Sequence, residues 1–147
     1  MIVDVRTVAR SRHNPQYNAE ELGGSLHENG IYYRRIEGLG GFRHTTAASV
    51  NRAWKNVSFR GYADYMQTPE FTTNLEKLIH VAAKSQTAIM CAEALPWRCH
   101  RSLIGDALIV RGVLVEDIMT AERSTPHRLT SFAKAKDGKI TYPLATE

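Results

Sequence analysis

Cys91 and the run Arg98-Cys99-His100-Arg101 are the residues whose types and spacing point most directly to chemistry. A thiol beside arginine and histidine loses its proton more readily, and the resulting thiolate is a nucleophile, a metal ligand and a redox group. Glu93 lies between the two cysteines, a carboxylate suited either to carrying a proton or to holding one of the arginines. His100 could serve as an acid, a ligand or a helix-cap partner. Cys91 has a second reading as a small apolar residue that closes a buried strand, and helix phase could equally turn Cys99 inward.

The arginines suggest what such a site would bind. Thirteen of the 19 basic residues are arginine, the side chain whose planar fork grips phosphate or carboxylate. Eight of those fall in four segments that follow predicted strands: Arg6, Arg10 and Arg12; Arg43; Arg98 and Arg101; Arg123 and Arg128. In an open parallel sheet, ligands bind beyond the carboxyl ends of the strands, and a helix N-terminus there favours an anion. The expectation is an anion cradle formed by Arg6, Arg12, Arg43, Arg98 and Arg101, with Cys91, Glu93, Cys99 and His100 as catalytic candidates. Cysteine phosphatases use a related loop, but the step from Cys91 to Arg98 is one residue longer than theirs and Pro96 removes an amide donor, so that motif is not matched. A metal held by Cys91, Cys99 and His100 is weakly supported, because no Cys-x-x-Cys pair or second cluster exists. P-loop, dinucleotide and serine-nucleophile motifs are absent.

The elements that would position these residues follow from hydrophobic pattern and caps. Residues 1–5 read as a buried strand, and Asp4 within it calls for a partner such as an arginine or loop amides. Asn18 caps a helix ending at Gly30, residues 31–36 form a second strand, and residues 38–41 turn. Two short helical pieces are expected around Trp54 and Tyr62, with Trp54, Tyr62 and Tyr65 read as core rather than as base-stacking platforms. Thr68-Pro69 then opens a helix to about Lys84. Residues 87–91 form a strand, 100–111 a helix and 113–118 a further strand, and the tail reads as mostly irregular. Alternating strands and helices predict an α/β fold, a three-layer α/β/α sandwich with a mainly parallel sheet of four or five strands in a single domain, 1–147.

No apolar run approaches the length of a membrane span. The start lacks the layout of a secretory signal, and two cysteines are too few for a disulfide scaffold, which points to the reducing cytoplasm. The formal net charge of +4 is compatible with a nucleic-acid partner without requiring one.

With these residues in view, the chain resembles the bacterial and archaeal family called domain of unknown function 488. The resemblance rests on Val3-Asp4-Val5-Arg6, Ser11-Arg12, Pro15-Gln16-Tyr17, Gly30-Ile31-Tyr32-Tyr33, Leu39-Gly40-Gly41, Tyr62-Ala63-Asp64-Tyr65-Met66, Met90-Cys91-Ala92-Glu93, Cys99-His100-Arg101, His127-Arg128-Leu129 and Tyr142-Pro143. It implies a shared site, with Asp4 and Tyr17 as structural support, and no particular reaction. Two departures stand out. The strand and helix that usually precede Val-Asp-Val-Arg are missing, and Glu116-Asp117 occupies a region where the family often carries histidine. The missing elements would leave the first strand with an open edge, which predicts a homodimer through residues 1–5 or a longer native product.

Three functions follow as expectations: an enzyme acting on a phosphate-bearing small molecule or nucleic acid, a non-catalytic nucleic-acid-binding module, and a thiol or metal sensor using Cys91 and Cys99.

Overall fold

A computed structural model describes residues 1–145. Three strands, β1 (Ile2–Asp4), β2 (Tyr33–Arg35) and β3 (Ala88–Met90), form a parallel sheet in the order β2-β1-β3. In register, Asp4 lies beside Arg35 on one side and Met90 on the other. Val3 and Val5 are fully buried, as expected of a central strand covered on its faces.

The first strand is therefore closed within the chain. Ile2 N–H donates to the Tyr32 carbonyl (2.8 Å) and Ile36 N–H to that of Asp4 (3.0 Å). On the other side Ala88 N–H donates to Met1 O and Val5 N–H to Met90 O, both at 3.0 Å. The open edges belong to β2 and β3, so the edge on which the expected homodimer through residues 1–5 was argued is absent.

Between β1 and β2 runs α1 (Ala19–Glu28). Asn18 stands at its N-cap, but its side chain accepts from Ser11 N–H (2.7 Å) rather than capping the helix. α2 (Val57–Tyr65) is capped by Asn56, whose side chain accepts from the N–H groups of Ser58 and Phe59. The helical piece expected around Trp54 does not form; Trp54 packs edge-on against Phe59 and Phe132. α3 (Pro69–Lys84) begins as its sequence predicts, with Thr68 Oγ1 accepting from Phe71 N–H and proline in the first turn. α4 (Arg101–Val110) follows β3 after a short 3-10 turn at Pro96–Arg98. Tyr62, Tyr65, Leu78, Leu103 and Ile104 join Val3 in one buried cluster, so both tyrosines are core.

Two expectations are corrected. The parallel sheet has three strands, not four or five, because the fourth strand, β4 (Glu116–Ile118), pairs antiparallel with β5 (Ser124–Pro126) away from it. The tail is more regular than its composition suggests: β6 (Lys134–Lys136) and β7 (Lys139–Thr141) form a second hairpin. Its turn, Asp137-Gly138, has both residues at positive φ, the pattern of a two-residue hairpin loop. β7 delivers Ile140 and Tyr142 into the core beside α4.

Candidate functional site

The two cysteines meet at the carboxyl end of β3. Cys91 ends the strand, the loop folds back, and Cys99 arrives just ahead of α4 with its sulfur 2.8 Å from that of Cys91. Both are free thiols; Cys99 is buried and Cys91 half-buried. Their surroundings differ. Cys99 Sγ accepts from the backbone N–H and from Nε of Arg101, each at 3.4 Å, and lies 3.5 Å from His100 Nδ1. Cys91 Sγ accepts from Glu93 N–H at 3.3 Å.

This asymmetry sets the charge. The Cys91 S–H donating to it pulls the Cys99 thiol well below its ordinary value, against the opposing effect of burial and with further help from His100 and Arg101. The same bond, with burial, pushes Cys91 up. The asymmetry favours negative charge on Cys99 over Cys91, and the position of Cys99 before a helix N-terminus adds a favourable field.

His100 is oriented for this neighbour. Its Nε2 lies 2.9 Å from the Val5 carbonyl, which can only accept, so Nε2 carries hydrogen, and Nδ1, 3.5 Å from the Cys99 sulfur, supports a thiolate there when it too is protonated. Gly41 makes room for the ring: a Cβ there would lie 3.3 Å from Nδ1. Glu93 serves the loop rather than an arginine. Its carboxylate accepts from Leu95 N–H at 3.3 Å, and its carbonyl, not its carboxylate, takes the Arg101 guanidinium.

Asp4 and Arg6 stand one strand away. Arg6 Nη2 is 2.6 Å from Asp4 Oδ2, Arg6 Nε and N–H donate to Oδ1 at 2.9 and 3.1 Å, and Tyr33 OH donates to Oδ2 at 2.5 Å. Burial works to raise the Asp4 carboxyl, but the Arg6 and Tyr33 bonds outweigh it and hold it below its ordinary value. Burial and the Asp4 bond push Tyr33 up to about 12. Tyr17 completes the clasp through its carbonyl, which accepts from Arg6 Nη2 at 2.8 Å. A cleft of about 380 Å³ opens here, lined by Arg6, Ser11, Asn14, Tyr17, Cys91 and Glu93 among others.

The remaining arginines do not share it. Arg43 donates to Gly40 O and stacks 3.7 Å over the Tyr65 ring, in a separate cavity beside Phe42 and Glu70. Arg101 lines an apolar cavity on the β4 side, and Arg12 and Arg98 are exposed on their loops. The arrangement thus brings Cys91, Glu93, Arg6 and Tyr17 to one cleft with Cys99, His100 and Arg101 directly behind, and leaves Arg12, Arg43 and Arg98 outside it. Among the described residues no three His, Cys, Asp or Glu side chains are grouped to hold a metal ion, and no helix is long and apolar enough to cross a membrane.

Sequence reasoning missed a second cluster on α4. Asp106 is fully buried and accepts from His127 Nε2 (2.9 Å), Thr130 Oγ1 (2.6 Å), Thr130 N–H (3.2 Å) and Tyr142 OH (2.8 Å). His127 Nδ1 lies 3.0 Å from Asp117 on β4. The Asp106 bond, helped by Asp117 and opposed by burial, raises the His127 pKa. A lone aspartate among Leu103, Ile104, Ala107 and Leu108 was the available signal, since a charge on an apolar helix face requires partners. Tyr33 and Arg35 were also missed; Arg35 donates to the Arg6 carbonyl at 3.2 Å and to that of Thr7.

Residues 1–108 match the family described as "Domain of unknown function DUF488", and the chain belongs to that family. No curated protein and no solved structure matches it.

Proposed function

We propose that this member of the DUF488 family is a dithiol–disulfide redox protein whose working couple is Cys91 and Cys99. The observation that supports it is the 2.8 Å contact between the cleft-facing Cys91 sulfur and the buried Cys99 sulfur. Cys91 is the entering sulfur and Cys99 the resolving one. Passage of the shared proton from Cys91 to Cys99 gives the Cys91 thiolate, which attacks one sulfur of a small disulfide RSSR. That S–S bond breaks, a mixed disulfide forms at Cys91 and RS⁻ leaves. Cys99 returns its proton to the departing thiolate, and its own thiolate attacks Cys91 Sγ, expelling the second RS⁻. Two electrons pass from the cysteines to RSSR, which leaves as RSH and RS⁻. His100, with Nδ1 toward Cys99, is placed to relay the proton. A reducing cytoplasm would regenerate the dithiol.

Equilibration in glutathione buffers from about −320 to −180 mV, followed by acid quench and intact mass, tests this. The expected result is loss of two hydrogens in the native chain and a glutathione adduct at Cys91 in Cys99→Ser. Two free thiols at every potential would overturn the reading.

The second reading is an enzyme acting on a phosphate-bearing substrate, with Cys91 as nucleophile. It draws on Arg6 lining the Cys91 cleft. Against it, the Arg6 charge is already met by Asp4, Arg101 is engaged by Cys99 and the Glu93 carbonyl, and Arg12, Arg43 and Arg98 lie outside the cleft. Phosphate-ester turnover abolished by Cys91→Ser, without disulfide formation at any potential, would favour it.

A further inference from the structure

We propose that the carboxyl edge of the sheet is a binding surface for single-stranded nucleic acid, contacted by exposed aromatic rings on the loops after β1, β2 and β3 and by unpaired arginines on the loops after β1 and β3. Parallel strands deliver all three loops to one edge, and each presents an aromatic side chain to solvent: Tyr17 (52% exposed), Phe42 (84%) and Trp97 (57%). Phe42 is held with φ +58°, a left-handed conformation that costs a phenylalanine free energy. Its ring gains little burial in return.

The loop segments that carry the first two rings are basic in sequence, although Glu37 and Glu70 line the cavity beside Phe42 and Glu93 the cleft beside Tyr17. Residues 5–18 contain three arginines, and residues 40–56 contain two arginines and a lysine, with no aspartate or glutamate in either segment. Arg6 is spent on Asp4, but Arg10, Arg12 and Arg98 are exposed and have no carboxylate partner among the described residues. The only acid in the third loop, Glu93, has its carboxylate turned to Leu95 N–H.

Dispersal is what discriminates between ligands. Guanidinium groups spread along an edge cannot converge on one phosphate, but they can follow a chain of phosphates. Solvent-facing rings between them supply platforms on which unpaired bases stack without regard to sequence. A duplex keeps its bases inside and offers those rings nothing, and an acidic polypeptide would use the arginines alone. Single strands use both. This inference does not depend on the cysteine chemistry above.

Fluorescence anisotropy with labelled oligo-dT and oligo-U, a matched duplex and polyglutamate as competitor tests it. Expected are binding to both single strands, at least ten-fold weaker binding to duplex, and a steep loss with salt. Trp97→Ala and Phe42→Ala should each weaken binding about five-fold or more, with unchanged thermal unfolding as the check on folding. Arg12→Ala and Arg98→Ala should each flatten the salt slope by about 0.7. Absence of binding to either single strand at low salt overturns the proposal. So does equal competition by duplex or polyglutamate with both aromatic variants unchanged, which would leave only a general polyanion surface.

Discussion

α4 holds two buried acidic groups, Asp106 within it and the Cys99 thiol just before its first turn, and they differ in how completely they are satisfied. Asp106, within the helix, takes four hydrogen bonds between 2.6 and 3.2 Å from His127, Thr130 and Tyr142. Its surroundings are closed, and each donor is itself committed to it. Cys99, just before the helix, is held by longer bonds of 3.4 Å from Arg101, and its shortest contact is another sulfur that faces a cleft. A saturated anion fastens segments together, whereas an anion whose best partner is a thiol keeps a reaction available. On the redox function proposed above, the start of the helix is its reactive part and its middle, at Asp106, its structural part.

If that contrast holds, substitutions on the two sides should separate stability from chemistry. The largest effect belongs to Asp106→Ala, which strands the buried His127, Tyr142 and Thr130 donors. A loss of about 3–5 kcal/mol is expected, read by denaturant or thermal unfolding, with the cysteine couple still able to oxidise in whatever folded fraction remains. Gly105→Ala acts on the same cluster: a Cβ there would lie 2.9 Å from His127 Nε2, and displacing the imidazole should cost about 1–3 kcal/mol. A Gly105→Ala protein as stable as the native chain would show that the cluster tolerates rearrangement and is not the fastening inferred.

Cys99→Ala should cost only about 1 kcal/mol while abolishing the intramolecular disulfide, read by unfolding and intact mass on one sample. A larger stability loss than at Gly105 would break the comparison. The finest test is a slope. Because the folded pKa of His127 is raised, its contribution to stability is full below its unfolded value near 6.5 and fades as pH rises through the higher folded value. Asp117→Asn should shrink that pH dependence in unfolding curves; an unchanged profile would remove Asp117 from the cluster.

The elements nearest the site were legible because their signals are local. Thr68-Pro69 announces α3 by a cap and a fixed φ, and residues 1–5 announce β1 by β-branched residues around one acid. That Asp4 needed a partner followed from the cost of burying a carboxylate, and Arg6 supplies it from two residues on, just past the strand. What was not legible depended on distant pairing. β4 looks like another sheet strand in isolation, yet Thr125 across from Asp117 makes it half of a hairpin. Arg43 was expected at an anion site because arginine loops were counted by position. Its actual partner is the Tyr65 ring at the end of α2, which no spacing in the loop reveals. The cysteine contact lay between the two cases: the residues were identifiable, but their 2.8 Å approach needed the fold-back through Pro96–Arg98.

The sheet order also bears on how the chain acquires this fold during synthesis. β1 pairs with β2 across about thirty residues but with β3 only after more than eighty. At roughly 5–20 residues per second, the middle strand waits several seconds on the ribosome with one ladder of amides and carbonyls unmatched. Loops that long close slowly relative to local structure, so helices α1 to α3 can form while β1 is still half-paired. Asp4, the charge in the middle of that apolar strand, is then exposed to water and opposes association with other nascent chains. The residue that holds Arg6 beside the thiol cleft is thus also a charge interrupting the apolar run of β1 during the interval before Ala88–Met90 is made.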